Sequence, residues 1–364
     1  MRDGDYPPQS GWLFMSRIVV TGAAGDVGER VVAKLSGAQP RPAVLAVDRT
    51  TLPSLPPGIE KKQADLEFAD LSSIFCGADT VVHLSSRGTP GETDPAADEL
   101  DLLIAERVLK AAADCRVDQI VLLSTALVYG ARTANPVPLT EDAPVRPNPD
   151  FSWAVVRAEI EELTAEWRKA HPLTAVSVLR PTAIVADDDL GQLARVLHSA
   201  RLGVAADGDP PVQYLHIDDL VSAVTTAVEC RVDGPLNVAP DGWIPPDALR
   251  DLEGPKPRLR VPLWMARGLA AVRWRAGLAP IPPGVVPCTS HSWVIANDRL
   301  RSLGWEPAYS NEEAWVVSHN PGPLDWIPAR RRQELALAIA ALGVMGGLGL
   351  LAWLLRRAAQ KPSR

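Results

Sequence analysis

The chain predicts an α/β fold, a doubly wound parallel sheet of Rossmann type, and three observations carry that expectation. Short apolar runs alternate with helical patterns through the first half of the 364 residues. A glycine-rich turn, TGAAGDVG (21–28), lies between the first apolar run and the first helical pattern. An acidic residue, Asp48, ends the second run 20 residues after Gly28.

The elements follow in order. RIVVT (17–21), AVLAVD (43–48), TVVHLS (80–85), QIVLLST (119–125) and AVSVLR (175–180) read as strands buried on both faces, as parallel strands are. DVGERVVAKLS and DELDLLIAERVLKAAADC lie between them with apolar residues at helical spacing. FSWAVVRAEIEEL (151–163), behind a Pro-rich loop, reads as the opening of another helix. Such alternation calls for right-handed crossovers. Beyond about Arg180 the pattern loosens and Pro and Trp become frequent, as in GWIPPDAL. A dinucleotide-binding domain is therefore expected over 16–240, with 181–211 contributing to the substrate side, and a smaller substrate region over 241–318.

Charged residues at 22% and hydrophobic residues at 46% describe a globular chain. A net charge of −7, with no basic stripe through the main body, argues against a nucleic-acid partner. Four scattered cysteines, Cys76, Cys115, Cys230 and Cys288, support neither a disulfide framework nor a zinc site, and no metal is expected; a reducing compartment fits them best. The first 15 residues hold no secretory signal and are either a disordered leader or a misassigned start ahead of MSRIVVTGAAG. Leu335–Leu355, by contrast, contains no charged residue and has the length of a membrane-crossing helix. Arginines flank it at 330–332 and 356–357. We expect a linker (319–334), a single transmembrane anchor (335–355) and a basic tail (356–364), with the main domain cytoplasmic. Gly343 and Gly347 form a GxxxG spacing through which two such helices can pair, giving a homodimer.

Glycines at 22, 25 and 28 let backbone approach a pyrophosphate at a helix N-terminus, where amides and the helix dipole favour an anion. Asp48 is placed for a ribose 2′-hydroxyl and favours NAD over NADP, a preference that Arg49 next door softens.

These residues, with others in the same order, resemble the extended short-chain dehydrogenases, the NAD-dependent epimerase/dehydratase family. The GxxGxxG spacing, Asp65-Leu66, VVHLSS (81–86), LLSTALVYG (122–130), LRPTAIV (179–185), YLHIDDLVSAV (214–224), PLNVA (235–239) and LGWEP (303–307) each resemble a family segment. The resemblance implies a dinucleotide-binding sheet, commonly dimeric, an adenine contact at Asp65 and Leu66, and substrates that are often nucleotide sugars. It also implies catalysis by a Tyr-x-x-x-Lys pair with a Ser or Thr. Thr125 matches the hydroxyl position. The Tyr and Lys positions, aligned on Glu161, hold Trp153 and Arg157, and no Tyr-x-x-x-Lys occurs anywhere in the chain.

An indole N–H only donates, and a guanidinium does not give up its proton, so neither replaces a phenol acid/base. Arg157 can still contact the cofactor ribose, or pair with Glu161 one helical turn on. Tyr129, His83, Asp218 and Asp219 are the alternative proton donors. Two readings follow: an NAD-binding protein with weak or no standard catalysis, acting as sensor, scaffold or partner subunit, or an atypical oxidoreductase or epimerase using a different donor. Among eleven tryptophans, Trp243, Trp264, Trp274 and Trp293 fall in or near the substrate region and suit a lipid-like ligand.

Overall fold

Runs rich in Val, Ile and Leu but too short for helices form strands where both faces are covered. In the computed structural model, which describes residues 16–319 apart from 53–54, 202, 207, 254–257 and 278–280, they form the centre of the molecule. The chain runs through β1 (Arg17–Thr21), α1 (Asp26–Ser36), β2 (Ala43–Asp48), β3 (Glu60–Gln63), α2 (Leu71–Phe75), β4 (Thr80–His83), α3 (Pro95–Asp114) and β5 (Gln119–Leu123). A 3-10 turn (Ala126–Tyr129) leads to α4 (Ser152–Ala170), β6 (Ala175–Pro181), β7 (Ala183–Val185), α5 (Gly191–Ala200), β8 (Gly203–Ala206) and β9 (Tyr214–His216). After these come α6 (Ile217–Glu229), β10 (Gly234–Val238), α7 (Pro246–Glu253), β11 (Arg258–Val261) and α8 (Leu263–Arg275). A 3-10 segment (Pro283–Thr289), α9 (Asp298–Arg301) and α10 (Asn311–Ser318) close the described chain.

Seven parallel strands stand in the order β3-β2-β1-β4-β5-β6-β10. The two-residue period of β1 divides its side chains between two layers. Ile18 and Val20 face α1 and α6 through Val31, Val32, Leu35, Val221 and Val224, while Val19 faces α2 and α3 through Ile74, Phe75, Val108 and Leu109. From β1 the chain turns towards β2, and from β4 towards β5, so the order reverses between two neighbours. A crevice opens there beyond the strand ends. Two further pairs, β7 with β9 and β8 with β11, build the region past β6.

The doubly wound parallel fold agrees with the sequence expectation, and β1, β2 and α1 fall on the residues expected. β3 lies where no strand was expected: its EKKQ sequence lacks apolar character because it is an exposed edge strand, where charged side chains block further pairing. The cysteines correct a second expectation. Cys76 and Cys115 form a disulfide although 39 residues separate them. They cap the C-termini of α2 and α3, and the packing of those helices brings the two caps together. No helix among the described residues is long and apolar enough to cross a membrane. The leader (1–15), the anchor (335–355) and the basic tail lie outside the described residues, as does the linker beyond His319.

Candidate functional site

Gly22 leaves β1 at φ +75°, and a Cβ there would stand 2.6 Å from the backbone nitrogen of Ser85, so the turn closes against the loop after β4 only without a side chain. A Cβ at Gly28 would stand 2.0 Å from the Gly22 carbonyl oxygen, which is what seats α1 on the turn. Gly25 begins α1 with no side-chain cap, leaving first-turn amides open to an anion. Asp48 holds the neighbouring loop: Oδ2 accepts from the Ala24 amide at 3.0 Å, and Oδ1 from the Thr50 amide and hydroxyl at 2.9 and 2.8 Å. Gly22, Gly25, Asp48 and Leu66 border a cavity of about 270 Å3, together with Arg49 and Arg87. Asp65 stands behind this wall. The hydrogen bond from Arg87 holds its carboxyl below the usual carboxylate range.

A second cavity, of about 250 Å3, opens beside the first and shares Leu84, Ser85, Ser86, Gly88 and Gln192 with it. Thr125, Trp153 and Arg157, which the resemblance aligns with a hydroxyl, a Tyr and a Lys, all line it. Thr125 is buried at the start of the 3-10 turn, where its Oγ1 accepts from the Leu127 amide at 3.3 Å. Trp153 sits in the first turn of α4, and its buried indole N–H has no hydrogen-bond partner among the described residues. Arg157, one turn on, lies with its guanidinium carbon 5.7 Å from the Trp153 ring centroid. It donates to Ser86 Oγ and to Asp101 Oδ2, the latter at 3.2 Å.

Asp101, on α3, is a residue that sequence reading did not single out. Its buried carboxylate also accepts from the Ser86 hydroxyl at 2.9 Å and the amides of Arg87 at 2.6 Å and Gly88 at 3.1 Å. Burial pulls Arg157 below the ordinary guanidinium range and Asp101 pulls it back up, so the cation persists as half of a buried pair. The alternative pairing with Glu161 is therefore corrected. Glu161 belongs to Arg180, whose Nε reaches Oε2 at 3.0 Å, and it also accepts from Ser124. A carboxylate one turn away loses to partners that sheet and helix packing fix more firmly.

The alternative proton donors are occupied as well. Tyr129 donates to Asn237 Oδ1 at 2.8 Å and accepts from Arg180 at 2.6 Å, and burial pushes its hydroxyl up to about 12. His83 Nδ1 shares a proton with Thr21 Oγ1 at 2.8 Å; burial, then Arg157, push it down to about 4, so it is neutral at pH 7. Asp218 pairs with Arg30 at 2.9 Å. Asp219 accepts from the amides of Ala308 and Tyr309 at 2.7 and 3.1 Å, fastening the loop before α10 to α6.

A glycine turn closed on a helix N-terminus, an acidic residue ending the next strand and a crevice at the reversal of strand order together define a dinucleotide-binding α/β protein. The uncapped first turn of α1, beside the cavity that Gly22, Gly25 and Asp48 border, fits such a group. The chain belongs to the NAD-dependent epimerase/dehydratase family, whose model matches residues 18–239. A 3-diazoavenalumate denitrifying reductase from a Streptomyces species is 29% identical over 312 residues, covering 80% of this chain and 96% of the relative. A UDP-glucose 4-epimerase from Azospirillum brasilense is also 29% identical, over 370 aligned positions that cover 91% of this chain and 96% of the relative. Among solved structures, MoeE5 in complex with UDP-glucuronic acid and NAD matches the fold with a TM-score of 0.64 at 20% identity, over 83% of this chain and 97% of that one. The Thermus thermophilus UDP-glucose 4-epimerase in complex with NAD gives 0.62 at 20% identity, over 83% and 96%.

Proposed function

We propose that this chain binds NAD in the cavity between Gly22 and Asp48 and a small ligand in the adjoining one, with the family's proton-coupled turnover weak or absent. On this reading it serves as a redox sensor, scaffold or partner subunit. The observation that carries it is Trp153 lining the reaction end of the cleft where the family places its acid/base, with Arg157 engaged by Asp101 and Ser86. NAD supplies a hydride acceptor or donor when bound. The chain's own residues hold it, through the amides around Gly22 and Gly25 and the carboxylate of Asp48. Removal of a positioned acid/base costs about 10²–10⁴ in rate, and nothing in that loss touches cofactor binding. Asp48 supports NAD over NADP, since a carboxylate repels a 2′-phosphate.

The adjoining ligand is either a nucleotide sugar, the class bound in the structural neighbour MoeE5, or a lipid-like molecule. The uncharged stretch Leu335–Leu355 supports a membrane anchor that holds the domain at the cytoplasmic face.

One observation favours a second reading. The unpartnered Trp153 N–H and the Arg157 cation border the cavity, and both can polarise an electron-rich group, so a reductase drawing its proton from water is the alternative. The test compares the full chain with a Trp153→Tyr/Arg157→Lys variant for bound cofactor and for turnover of nucleotide sugars. Cofactor in both and turnover rising about 10²-fold or more in the variant is the expected result. Robust turnover by the unaltered chain would sink the first reading in favour of the second.

A further inference from the structure

α8 presents an apolar stripe to solvent. Trp264, Met265, Leu269 and Val272 lie on one face at helical spacing, with Trp264 73% and Val272 62% exposed. The opposite face, through Ala266 and Ala270, packs on Val286 and Ala206. An exposed contiguous stripe of this kind marks a contact surface rather than scattered apolar residues.

Its electrostatic setting narrows the partner. From Gly254 to Asn297 the sequence has six basic residues and no acidic one, in a chain whose net charge is −7. This is a local exception to the absence of a basic stripe in the main body. Arg273 and Arg275 close the helix beside the stripe, both exposed. A second copy related by a twofold axis would bring the same arginines together with no acid in this stretch to offset them. Trp beside Met, Leu and Val suits the apolar side of a lipid surface, and neighbouring arginines suit its anionic headgroups. The tether agrees. Only 15 residues, 320–334, separate His319 from the apolar stretch at Leu335, at most about 50 Å fully extended. A bilayer crossed by that stretch is thus the surface α8 meets at the highest local concentration.

We propose that α8 is a second membrane contact, an interfacial helix that docks the domain on anionic lipid. This proposal shares the membrane setting of the anchor reading, although the helix's own binding does not require insertion of 335–355. It also bears on the cleft. Arg267 of α8 is ion-paired with Asp150, and the 3-10 segment beneath α8 touches the same residue, since a Cβ at Gly284 would stand 2.1 Å from the Asp150 carbonyl oxygen. Asp150 precedes Phe151, the N-terminal cap of the helix that carries Trp153. α8 is therefore ion-paired to the residue just before the cap of the helix that carries Trp153.

The experiment floats the full chain and full-chain variants on phosphatidylcholine vesicles with and without phosphatidylserine. Leu342→Asp/Leu348→Asp disables the apolar stretch, and Trp264→Ser/Leu269→Ser/Val272→Ser disables the stripe. The anchor-disabled chain is expected to float with the anionic vesicles only, less so as salt rises, and adding the stripe substitutions should lower its binding about ten-fold or more. No binding by the anchor-disabled chain, or binding unchanged by the stripe substitutions, overturns the proposal. So does a stripe variant that merely changes from dimer to monomer by light scattering. Release of the unaltered chain by high salt would instead overturn the anchor reading while supporting α8 as the membrane contact. Unchanged dinucleotide binding in the stripe variant verifies its fold.

Discussion

At the Gly22–Asp48 end of the cleft the surface offered to a ligand combines a glycine turn and an uncapped helix start with the side chains of Asp48, Arg49 and Arg87. At the Trp153–Arg157 end it is made of side chains whose partners arrive from other helices. The first depends on the turn at 21–28 together with the loop after β4, against which Gly22 closes, and Asp48, which holds the Ala24 amide. The second depends on Asp101, 56 residues before Arg157 and on a different helix. The two ends meet at one short loop: the glycine turn closes against Ser85, and Ser86 accepts from Arg157, while the Trp153 N–H makes no hydrogen bond to the turn.

That contrast can be broken or sharpened, beginning with the largest effect. Gly22→Val places a Cβ within 2.6 Å of backbone that cannot retreat, and in a left-handed conformation. We expect loss of dinucleotide binding beyond detection and a stability loss of at least about 3 kcal/mol, read by fluorescence titration and urea unfolding. Asp101→Ala leaves Arg157 buried without a counter-charge and should cost about 3–5 kcal/mol. Adding Arg157→Met should restore much of that, whereas full stability in the single variant would show that the pair is not what holds α3 to α4.

The third prediction concerns pH. His83 is held near 4 in the fold against 6.5 in a free chain, so between those values the unfolded state takes up a proton that the folded state refuses. Stability from this group is complete above about pH 6.5 and falls by about 3 kcal/mol as the pH drops to about 4. Urea titrations across that window should show the slope, and His83→Asn should remove it. Smallest is Asp48→Ala, which should narrow a preference for NADH over NADPH by about ten-fold, or about 1.4 kcal/mol, in paired binding titrations. An unchanged preference would move the discrimination elsewhere, with Arg49 the next residue to vary.

What could be read from residues alone follows the same division. β1, β2 and α1 were legible because each carries its own periodicity, and the glycine turn because its spacing is local. β3 was not, since an edge strand has no need of apolar residues. Trp153, Arg157 and Thr125 were legible through their place in a collinear series of family segments, and the fold does gather them around one cavity. Arg157's true partner was hidden, as was the pairing of Cys76 with Cys115, because both depend on how α3 packs against its neighbours. No short-range spacing encodes that. The occupied states of Tyr129 and His83 were hidden for the same reason, each being held by a residue from a distant strand or loop.

The wall between the two cavities, Ser85, Ser86 and Gly88, has one more consequence. A ligand that shifts it on one side alters the free energy of binding on the other, and thermodynamics makes that influence mutual. If an occupant of the reaction end tightens NADH by some factor, NADH tightens that occupant by the same factor. Under the proposed reading of weak turnover, such a cleft reports nicotinamide balance as occupancy rather than as product.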